Sequence, residues 1–250
     1  MNIRLYDHSY HEIVSGGDVI VAEFAKVWKR EGHSIQISTH QEGAEFFRSR
    51  GLPVQLVAVA AHIRTTYSSV LLGSVAHLIN AVISATVSKD APADIIFAGS
   101  CSLQDLLPAI IDKIKHRKAK LAVGCYIFLL PPWKKSYGSN TINRYLFWAE
   151  YQIGILLTRV WADVIWTASP VDQTNVIKYF RKPAEAIRGG VDLDAAQAAV
   201  RTQHSNQYDA VYLGRFHPQK NILELIDIWK IVVTKLPQAT HALERAACVK

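Results

Sequence analysis

The chain has 250 residues, of which 50% are hydrophobic and 20% are charged, so it can bury a sizeable core and is neither wholly disordered nor collagen-like. Its 28 Lys and Arg exceed its 21 Asp and Glu, and the net charge of +7 favours anionic partners such as nucleotide phosphates, acidic lipids or nucleic acid. Its three cysteines are odd in number and far apart in sequence, which excludes a disulfide framework and a four-thiolate metal site and favours a reducing compartment.

The N-terminal part alternates between the patterns of strands and helices. Ile3–Tyr6 predicts a strand, and Ser15-Gly16-Gly17-Asp18 separates it from a helical pattern at 20–31 that ends at Gly32. Further strands are predicted at 34–39, 54–59, 94–98, 121–130 and 162–168, and helices at 67–87, 103–114, 141–161 and 170–179. This alternation predicts an α/β fold, a doubly wound parallel Rossmann-like sheet over residues 1–185.

The segment 67–87 is long enough to cross a membrane, but polar residues such as Asn80 interrupt its apolar run. Its apolar positions recur at helical spacing, so we predict a buried helix that faces a core. These positions are Leu71, Val75, Leu78, Ile79, Val82, Ile83 and Thr86-Val87. The first residues of the chain are too polar for the apolar core of a signal peptide. We therefore expect a cytoplasmic protein.

Residues 186–207 are small and polar and predict an interdomain linker, after which a second unit occupies 208–250. A strand is predicted at 209–214 and a helix with a wide apolar face at 222–236. The tail from 239 to 250 shows neither alternation nor a sustained apolar run, so we expect no strand there. One strand and one helix cannot bury their own apolar surface, which predicts an incomplete second Rossmann-like unit.

Two turns are candidate anion sites. Gly16 and Gly17 lie between a strand and a helix N-terminus, where unpaired backbone N–H groups and the helix dipole favour an anion. The alternative is a plain turn in which Asp18 caps the helix. In the second unit, Arg215 and Lys220 likewise lie between a predicted strand and a predicted helix. Arg215 can donate two hydrogen bonds to a diphosphate, and Lys220 adds a positive charge. A solvated basic loop is the alternative there.

Five short motifs follow one another along residues 1 to about 238. They are Gly16-Gly17, Lys29-Arg30-Glu31-Gly32-His33, Ala162-Asp163-Val164-Ile165 leading to Ser169, Gly189-Gly190-Val191-Asp192, and Gly214-Arg215-Phe216 with Lys220-Asn221. Together they resemble the motifs of the family 4 retaining glycosyltransferases of GT-B fold. The resemblance implies a Rossmann-like acceptor domain followed by the start of a donor domain.

The same resemblance implies transfer of a sugar from a nucleotide-sugar donor to a polysaccharide or lipid-linked acceptor, with retention at the anomeric carbon. In that family the Gly-Gly loop lines the catalytic cleft, and the Arg and Lys of the last motif hold the donor diphosphate. These roles fall here on Gly16, Gly17, Arg215 and Lys220, whose cations would stabilise the leaving diphosphate. The catalytic residue is left unassigned, and no cofactor is expected because the nucleotide sugar is a substrate.

The chain departs from the family near its C-terminus. The family's donor domain continues further and carries paired glutamates that grip the donor, whereas Glu244 is followed by no glutamate partner. We therefore expect a truncated donor domain and weak or absent activity for the chain alone. The alternative is a non-catalytic acceptor- or partner-binding module, completed by a separate donor-domain chain or by self-association, or a decayed remnant.

Three further patterns bear on metals and partners. Asp192-Leu193-Asp194 matches a metal-binding triplet, but it falls within the interdomain motif and no zinc spacing occurs, so no metal is expected. A basic cluster and a following aromatic helix suit a membrane surface and a lipid-linked acceptor, although lysines that solvate a helix end and aromatics packed in a core are the preferred alternative. No nucleic-acid partner is expected, because no reader motif occurs. The cluster is Lys113, Lys115, Arg117, Lys118 and Lys120, and the aromatics are Tyr145, Phe147, Trp148 and Tyr151.

Overall fold

The structure is a computed structural model of the chain. It describes residues 1–8, 16–56, 75, 78–79, 81–83, 85–86, 92–126, 128–129, 131–133, 141–187, 197, 208–214 and 221–245. Contacts within the chain define two units. The first contains Met1–Leu129 and Tyr145–Gly190, and the second contains Leu130–Arg144 and Val191–Lys250.

The first unit follows the predicted alternation of strands and helices. Its strands are β1 (Asn2–Tyr6), β2 (Ser34–Thr39), β3 (Val54–Leu56), β4 (Ile95–Ala98), β5 (Lys120–Gly124), β6 (Val164–Thr167) and β7 (Ala184–Ala186). Its helices are α1 (Gly16–Arg30), α2 (Gln41–Arg48), α3 (Leu103–Lys115), α4 (Thr141–Trp161, which begins in the second unit) and α5 (Pro170–Phe180). Gly32 follows α1 with a φ of +82°, as predicted for a residue that closes a helix.

The strands form a parallel sheet in the order β3-β2-β1-β4-β5-β6-β7. The predicted doubly wound α/β fold is therefore confirmed. The strand order reverses between β1 and β4, so the connections from these two strands leave in opposite directions. Such a reversal opens a crevice at the carboxyl ends of the strands, where sheets of this kind bind their ligands.

Helices cover both faces of the sheet. On one face, Val21 of α1 and Phe47 of α2 share a buried cluster with Leu5 of β1. On the other face, α3, α4 and α5 contribute to a second cluster that includes Tyr6 of β1. Successive side chains of a strand point to opposite faces, and neighbouring residues of β1 therefore belong to different clusters. This alternation also decides the directions of the polar residues that follow β1.

A buried ion pair joins α3 to the first strand. The guanidinium of Arg4 lies 2.5 Å from the Asp112 carboxylate, and both side chains are almost fully buried. Arg4 also donates a hydrogen bond to the side-chain oxygen of Gln36 in β2, at 3.2 Å. Buried charges are tolerated when they are paired in this way. The Arg4–Asp112 pair and the Arg4–Gln36 hydrogen bond therefore connect α3 to β1 and β2.

The helical residues within 75–86 present a different face from the one predicted. Ala81 and Ala85 are buried, whereas Val75, Ile79 and Ile83 are exposed. The prediction for these three residues is wrong, because the small alanines make the close contact with the rest of the unit. No helix in the described part of the chain combines the length and the apolar character needed to cross a membrane.

The second unit contains a strand, a helix and a further strand, namely β8 (Ala210–Gly214), α6 (Ile222–Lys235) and β9 (His241–Arg245). The expectation that no strand follows the helix is wrong, because β9 pairs with β8 in parallel from Ala210–His241 to Gly214–Arg245. The Asp209 carboxylate accepts hydrogen bonds from both the backbone N–H and the hydroxyl of Thr240, at 2.8 and 3.0 Å. Pairing with β8, rather than local alternation, makes this segment a strand.

Candidate functional site

Buried polar side chains gather where β1, β2 and β4 end, at the reversal of strand order. Asp7 and His8 follow β1, Thr39 ends β2, His40 follows it, and Asp105 lies in the first turn of α3 after β4. All five are buried. Doubly wound sheets bind ligands outside this edge, so these residues mark the candidate site.

Asp7 is directed toward α1. Its carboxyl group is hydrogen-bonded to that of Asp18 in the first turn of this helix. Burial raises the pKa of Asp7 well above its ordinary value, and the negative charges of Asp18 and Asp105 raise it further. Two adjacent buried carboxyl groups cannot both remain ionised at low cost. Burial and the neighbouring carboxyl groups therefore favour the neutral form of Asp7.

Gly16 and Gly17 begin α1 immediately before Asp18, at the predicted boundary between turn and helix. Gly16 is exposed, and among the described residues a Cβ atom at this position would meet nothing within 4 Å. Packing therefore does not require a glycine here. None of the described residues therefore fills the space beside Gly16 at the start of α1, and a ligand that approaches the backbone N–H groups would need this space.

His8 points to the opposite face, toward α3. The Asp105 carboxylate accepts a hydrogen bond from the His8 backbone N–H at 2.7 Å and another from the Ser100 hydroxyl at 2.5 Å. The His8 ring places Nδ1 3.6 Å from Asp105 and Nε2 3.4 Å from the Ser38 hydroxyl. Asp105 thus fixes the residues that follow β1 and β4 relative to each other.

Some polar atoms at this edge are buried without a hydrogen bond. Among the described residues, they include Asp7 Oδ2, His8 Nδ1 and Thr39 Oγ1. The rings of His8 and His40 lie close together, with centroids 4.9 Å apart. Buried polar groups without a partner are costly, and they are uncommon outside functional sites. Their concentration here supports the choice of this edge.

The N-terminus of α3 differs from that of α1, because another side chain already occupies it. The Glu150 carboxylate of α4 accepts hydrogen bonds from the Leu103 backbone N–H at 2.6 Å and from the Ser102 hydroxyl at 3.0 Å. Burial raises the pKa of Glu150, although these two hydrogen bonds oppose the shift. Of these two helix starts, α1 is therefore the better candidate for a ligand.

Of the predicted site residues, Gly16 and Gly17 lie beside the Asp7–Asp18 pair, at the edge of the sheet where the strand order reverses. Arg215, Lys220 and the Asp192-Leu193-Asp194 triplet lie outside the described residues. Within the part of the chain that the structure describes, no group of three or more His, Cys, Asp or Glu side chains is arranged to hold a metal ion.

The basic cluster at the end of α3 is largely engaged in contacts within the protein. Lys113 pairs with Asp163 at 2.6 Å, and Lys115 donates to the backbone carbonyls of Ala85 and Thr86. Lys120 lies 3.6 Å from Asp163, whereas Arg117 and Lys118 are exposed. Among the aromatic residues of α4, Tyr151 is buried as predicted, but the expectation of core packing is wrong for Tyr145 and Phe147, which are exposed.

The distance between cysteines along the sequence is misleading. Cys101 follows β4 and Cys125 follows β5, and these adjacent strands bring Cys101 Sγ to 3.4 Å from the carbonyl oxygen of Gly124, the residue before Cys125, although 23 residues separate the two cysteines. Both are buried, and neither is in a disulfide bond. The expectation of no disulfide framework rested on the premise that the cysteines are far apart, and that premise is wrong for this pair.

Comparison with known proteins finds similarity in structure. No protein-family model matches the chain, and no curated protein sequence matches it. A mutant of S. aureus TarM, bound to Fondaparinux, alpha-GlcNAc-glycerol and UDP, superposes with a TM-score of 0.62 at 8% identity, over 99% of this chain and 73% of that one. A Listeria monocytogenes protein assigned as a UDP-N-acetylglucosamine 2-epimerase gives 0.56 at 12% identity, over 98% of this chain and 62% of that one.

A third structure, the glycosyltransferase of kitacinnamycin, gives a TM-score of 0.55 at 12% identity, over 100% of this chain and 66% of that one. The chain therefore spans less than two thirds of the length of the epimerase and of this transferase. The fold is of the GT-B, Rossmann-like type. At these identities the similarity establishes the fold alone, since one fold serves many functions.

The glycine turn at Gly16 and Gly17 was predicted from the sequence, whereas a role in the site was not predicted for Asp7, His8, His40 or Asp105. One available signal would have found three of them, because Asp7, His8 and His40 directly follow predicted strands. The carboxyl ends of parallel strands meet at one edge, where polar residues are candidates for a site. Asp105 carries no such signal, since an acidic residue in the first turn of a helix commonly serves the helix itself.

Proposed function

We propose that this chain binds a nucleotide sugar for transfer of the sugar to an acceptor, with weak activity at most for the chain alone. The observation that carries the proposal is the accessible start of α1 at the switch point of a GT-B-type fold. Backbone N–H groups at a helix N-terminus favour phosphate, and this edge is where such sheets bind nucleotides. The TarM structure, which shares the fold, holds UDP.

The proposed roles follow the sequence resemblance. Gly16 and Gly17 line the cleft, while Arg215 and Lys220 hold the donor diphosphate and offset the negative charge that builds on it as the sugar leaves. The sugar is transferred with retention at its anomeric carbon. The chemical step needs no metal or other cofactor in this proposal, because the two cations bind the diphosphate.

His8 and Asp105 are proposed as positioning residues. The His8 side chain is fully buried, and its Nε2 faces Ser38, so it does not contact a substrate in this arrangement. Asp105 instead connects the segments after β1 and β4 through its two hydrogen bonds. These contacts hold the segments that follow β1 and β4 in place beside the start of α1.

The donor is tested by calorimetric titration of the full chain with UDP, UDP-glucose and UDP-N-acetylglucosamine. We expect binding, and Arg215→Ala should weaken it by about tenfold or more, because hydrogen bonds to a charged group contribute about 1.5–3 kcal/mol. Arg117→Ala, which removes an exposed cation of the first unit, should leave binding unchanged. No binding of any nucleotide, or equal losses in both variants, would contradict the proposal.

The stereochemical outcome is tested by proton NMR of the first product formed from an α-linked donor. An α-linked product agrees with retention, and a β-linked product contradicts it. Release of a sugar with its C2 configuration reversed would instead identify an epimerase.

Titration of the same chain with duplex DNA tests the expectation of no nucleic-acid partner, and saturable binding would overturn it.

The acceptor is proposed to be a polysaccharide or a lipid-linked glycan, reached in the cytoplasm by peripheral contact with the inner face of the cell membrane. Exposed Arg117 and Lys118 support such contact through attraction to acidic lipids. Flotation with vesicles that contain acidic lipids tests it. Replacing both Arg117 and Lys118 by Ala should reduce binding, and equal binding to neutral vesicles would argue against an electrostatic contact.

A second candidate is a non-catalytic module for acceptor or partner binding, completed by a separate donor-domain chain or by a second copy. The supporting observation is that α6 buries none of its residues among the described part of the chain. Sedimentation velocity over a wide concentration range tests self-association. Ile231→Glu in α6 should weaken it, and Val171→Glu in α5 is the matched control, since both residues are exposed. A monomer at all concentrations contradicts the self-association version.

A further inference from the structure

Two cysteines lie at the carboxyl ends of neighbouring central strands, beside the candidate site. Cys101 comes three residues after the end of β4 and Cys125 one residue after the end of β5, and these strands pair up to Ala98 and Val123. Both side chains are buried and both thiols are free. Cys101 Sγ lies 3.4 Å from the carbonyl oxygen of Gly124, the residue before Cys125, so the two cysteines lie side by side. Cysteines on adjacent segments can form a disulfide with little rearrangement of the backbone.

The surroundings distinguish the two sulfur atoms. Cys101 Sγ donates to the Gly124 carbonyl at 3.4 Å, and Cys125 Sγ lies 4.0 Å from the Tyr151 hydroxyl. The interaction between the two neighbouring thiols lowers the pKa of Cys125 and raises that of Cys101, and burial raises the pKa of both. Cys125 is therefore the sulfur that ionises more readily and attacks first, because the thiolate is the nucleophile.

We propose that Cys101 and Cys125 form a reversible dithiol–disulfide pair, which a small-molecule disulfide such as glutathione disulfide oxidises. The Cys125 thiolate attacks one sulfur of glutathione disulfide, the S–S bond breaks, and one glutathione leaves as a thiol. Cys101 then loses its proton and attacks the Cys125 sulfur, so that the second glutathione leaves. Two protein thiols are oxidised and one glutathione disulfide is reduced, with no further reactant.

Oxidation would act directly on the edge that carries the candidate site. Cys101 lies between Ser100, which donates to Asp105, and Ser102, the N-cap of α3 whose hydroxyl donates to Glu150. Its backbone carbonyl also lies against Gly154 of α4. A covalent link from Cys101 to Cys125 therefore joins the segments after β4 and β5 at the point where the α3 cap is built.

The test is a redox titration of the full chain in glutathione buffers, once under native conditions and once in urea, with disulfides mapped by peptide mass spectrometry. We expect a Cys101–Cys125 disulfide, and an equilibrium constant for its formation at least about tenfold higher in the folded chain, since the fold holds the thiols together. An equal or lower constant in the folded chain, or three free thiols after oxidation, would overturn the proposal.

Three variants sharpen the result. Cys248→Ser should leave the titration unchanged, whereas Cys101→Ser and Cys125→Ser should each abolish the intramolecular disulfide. If either of the latter two does not fold, the Cys248→Ser chain decides alone, because it holds only the two cysteines in question. A disulfide that requires Cys248 also overturns the proposal. None of these measurements depends on nucleotide binding, so the outcome is independent of the proposed transferase function.

Discussion

The two units contain a similar strand–helix–strand pattern with very different burial. In the first unit, α1 between β1 and β2 buries Val21, Ala22 and Ala25 against the sheet. In the second unit, α6 between β8 and β9 is also rich in apolar residues but buries none of them in the described part of the chain. Apolar periodicity thus predicts a helix, but the layers available around that helix decide how much of its surface is buried.

The comparison predicts that equivalent substitutions have unequal effects in the two units, beginning with ion pairs. Asp112→Ala should destabilise the protein by about 3–5 kcal/mol, because it removes the buried partner of Arg4. Asp227→Ala removes the partner of Lys230 in α6, where both side chains are exposed, and should cost less than about 0.5 kcal/mol. Urea denaturation of both variants measures the difference, and similar losses would remove the basis of the comparison.

Leucine truncation probes the apolar surface in the same way. Leu106 of α3 is fully buried, and Leu106→Ala should lower the free energy of unfolding by about 3 kcal/mol through lost burial and the cavity left behind. Leu223 of α6 is 79% exposed, and Leu223→Ala should change it by less than about 0.5 kcal/mol. A loss at Leu223 that approaches the loss at Leu106 would indicate that α6 is covered in solution.

Glycine substitution tests how tightly the first unit is packed. A Cβ atom at Gly154 of α4 would clash with the Cys101 backbone carbonyl, so Gly154→Ala forces a backbone shift. We expect a net loss of about 2 kcal/mol, because overpacking outweighs the gain in helix propensity. Gly16→Ala is the control, since the space around Gly16 is open, and its stability should match the wild type. Hydrogen exchange of the α4 amides measures the local effect.

Several elements of the first unit could be predicted from the sequence because local pattern and tertiary packing agree there. The bounds of β2 and α4 match the predicted residues. For 75–86 the large apolar residues indicated the buried face, but the close contact uses Ala81 and Ala85, whose small size carries no periodic signal. β9 carries no signal of its own, since His241–Arg245 becomes a strand by pairing with β8.

The candidate site was harder to predict, because its residues become unusual only through folding. Asp7 and Asp18 are ordinary acidic residues in the sequence, and their contact depends on α1 packing back across β1. Cys101 and Cys125 meet because β4 and β5 are adjacent, an arrangement that sequence separation does not reveal. Gly16 and Gly17 were found because glycine before a helix is itself a local signal.

The smallest expected effect concerns pH. The folded-state pKa of Asp7 lies above its ordinary value of 3.8, because the group is buried beside Asp18 and Asp105. The neutral form therefore stabilises the fold fully below about pH 3.8, and this contribution is lost as the pH rises through the folded-state pKa. Asp7→Asn keeps the side chain neutral, so the stability of the variant relative to wild type should increase with pH.

Urea denaturation of wild type and Asp7→Asn at a series of pH values measures this difference. Asp227→Asn, which changes an exposed carboxylate of the second unit, should show no such trend. A difference that stays constant or falls with pH would mean that Asp7 is ionised beside Asp18 at no cost. In that case the edge at the start of α1 would carry two negative charges, and it would repel the phosphate that the proposed donor presents.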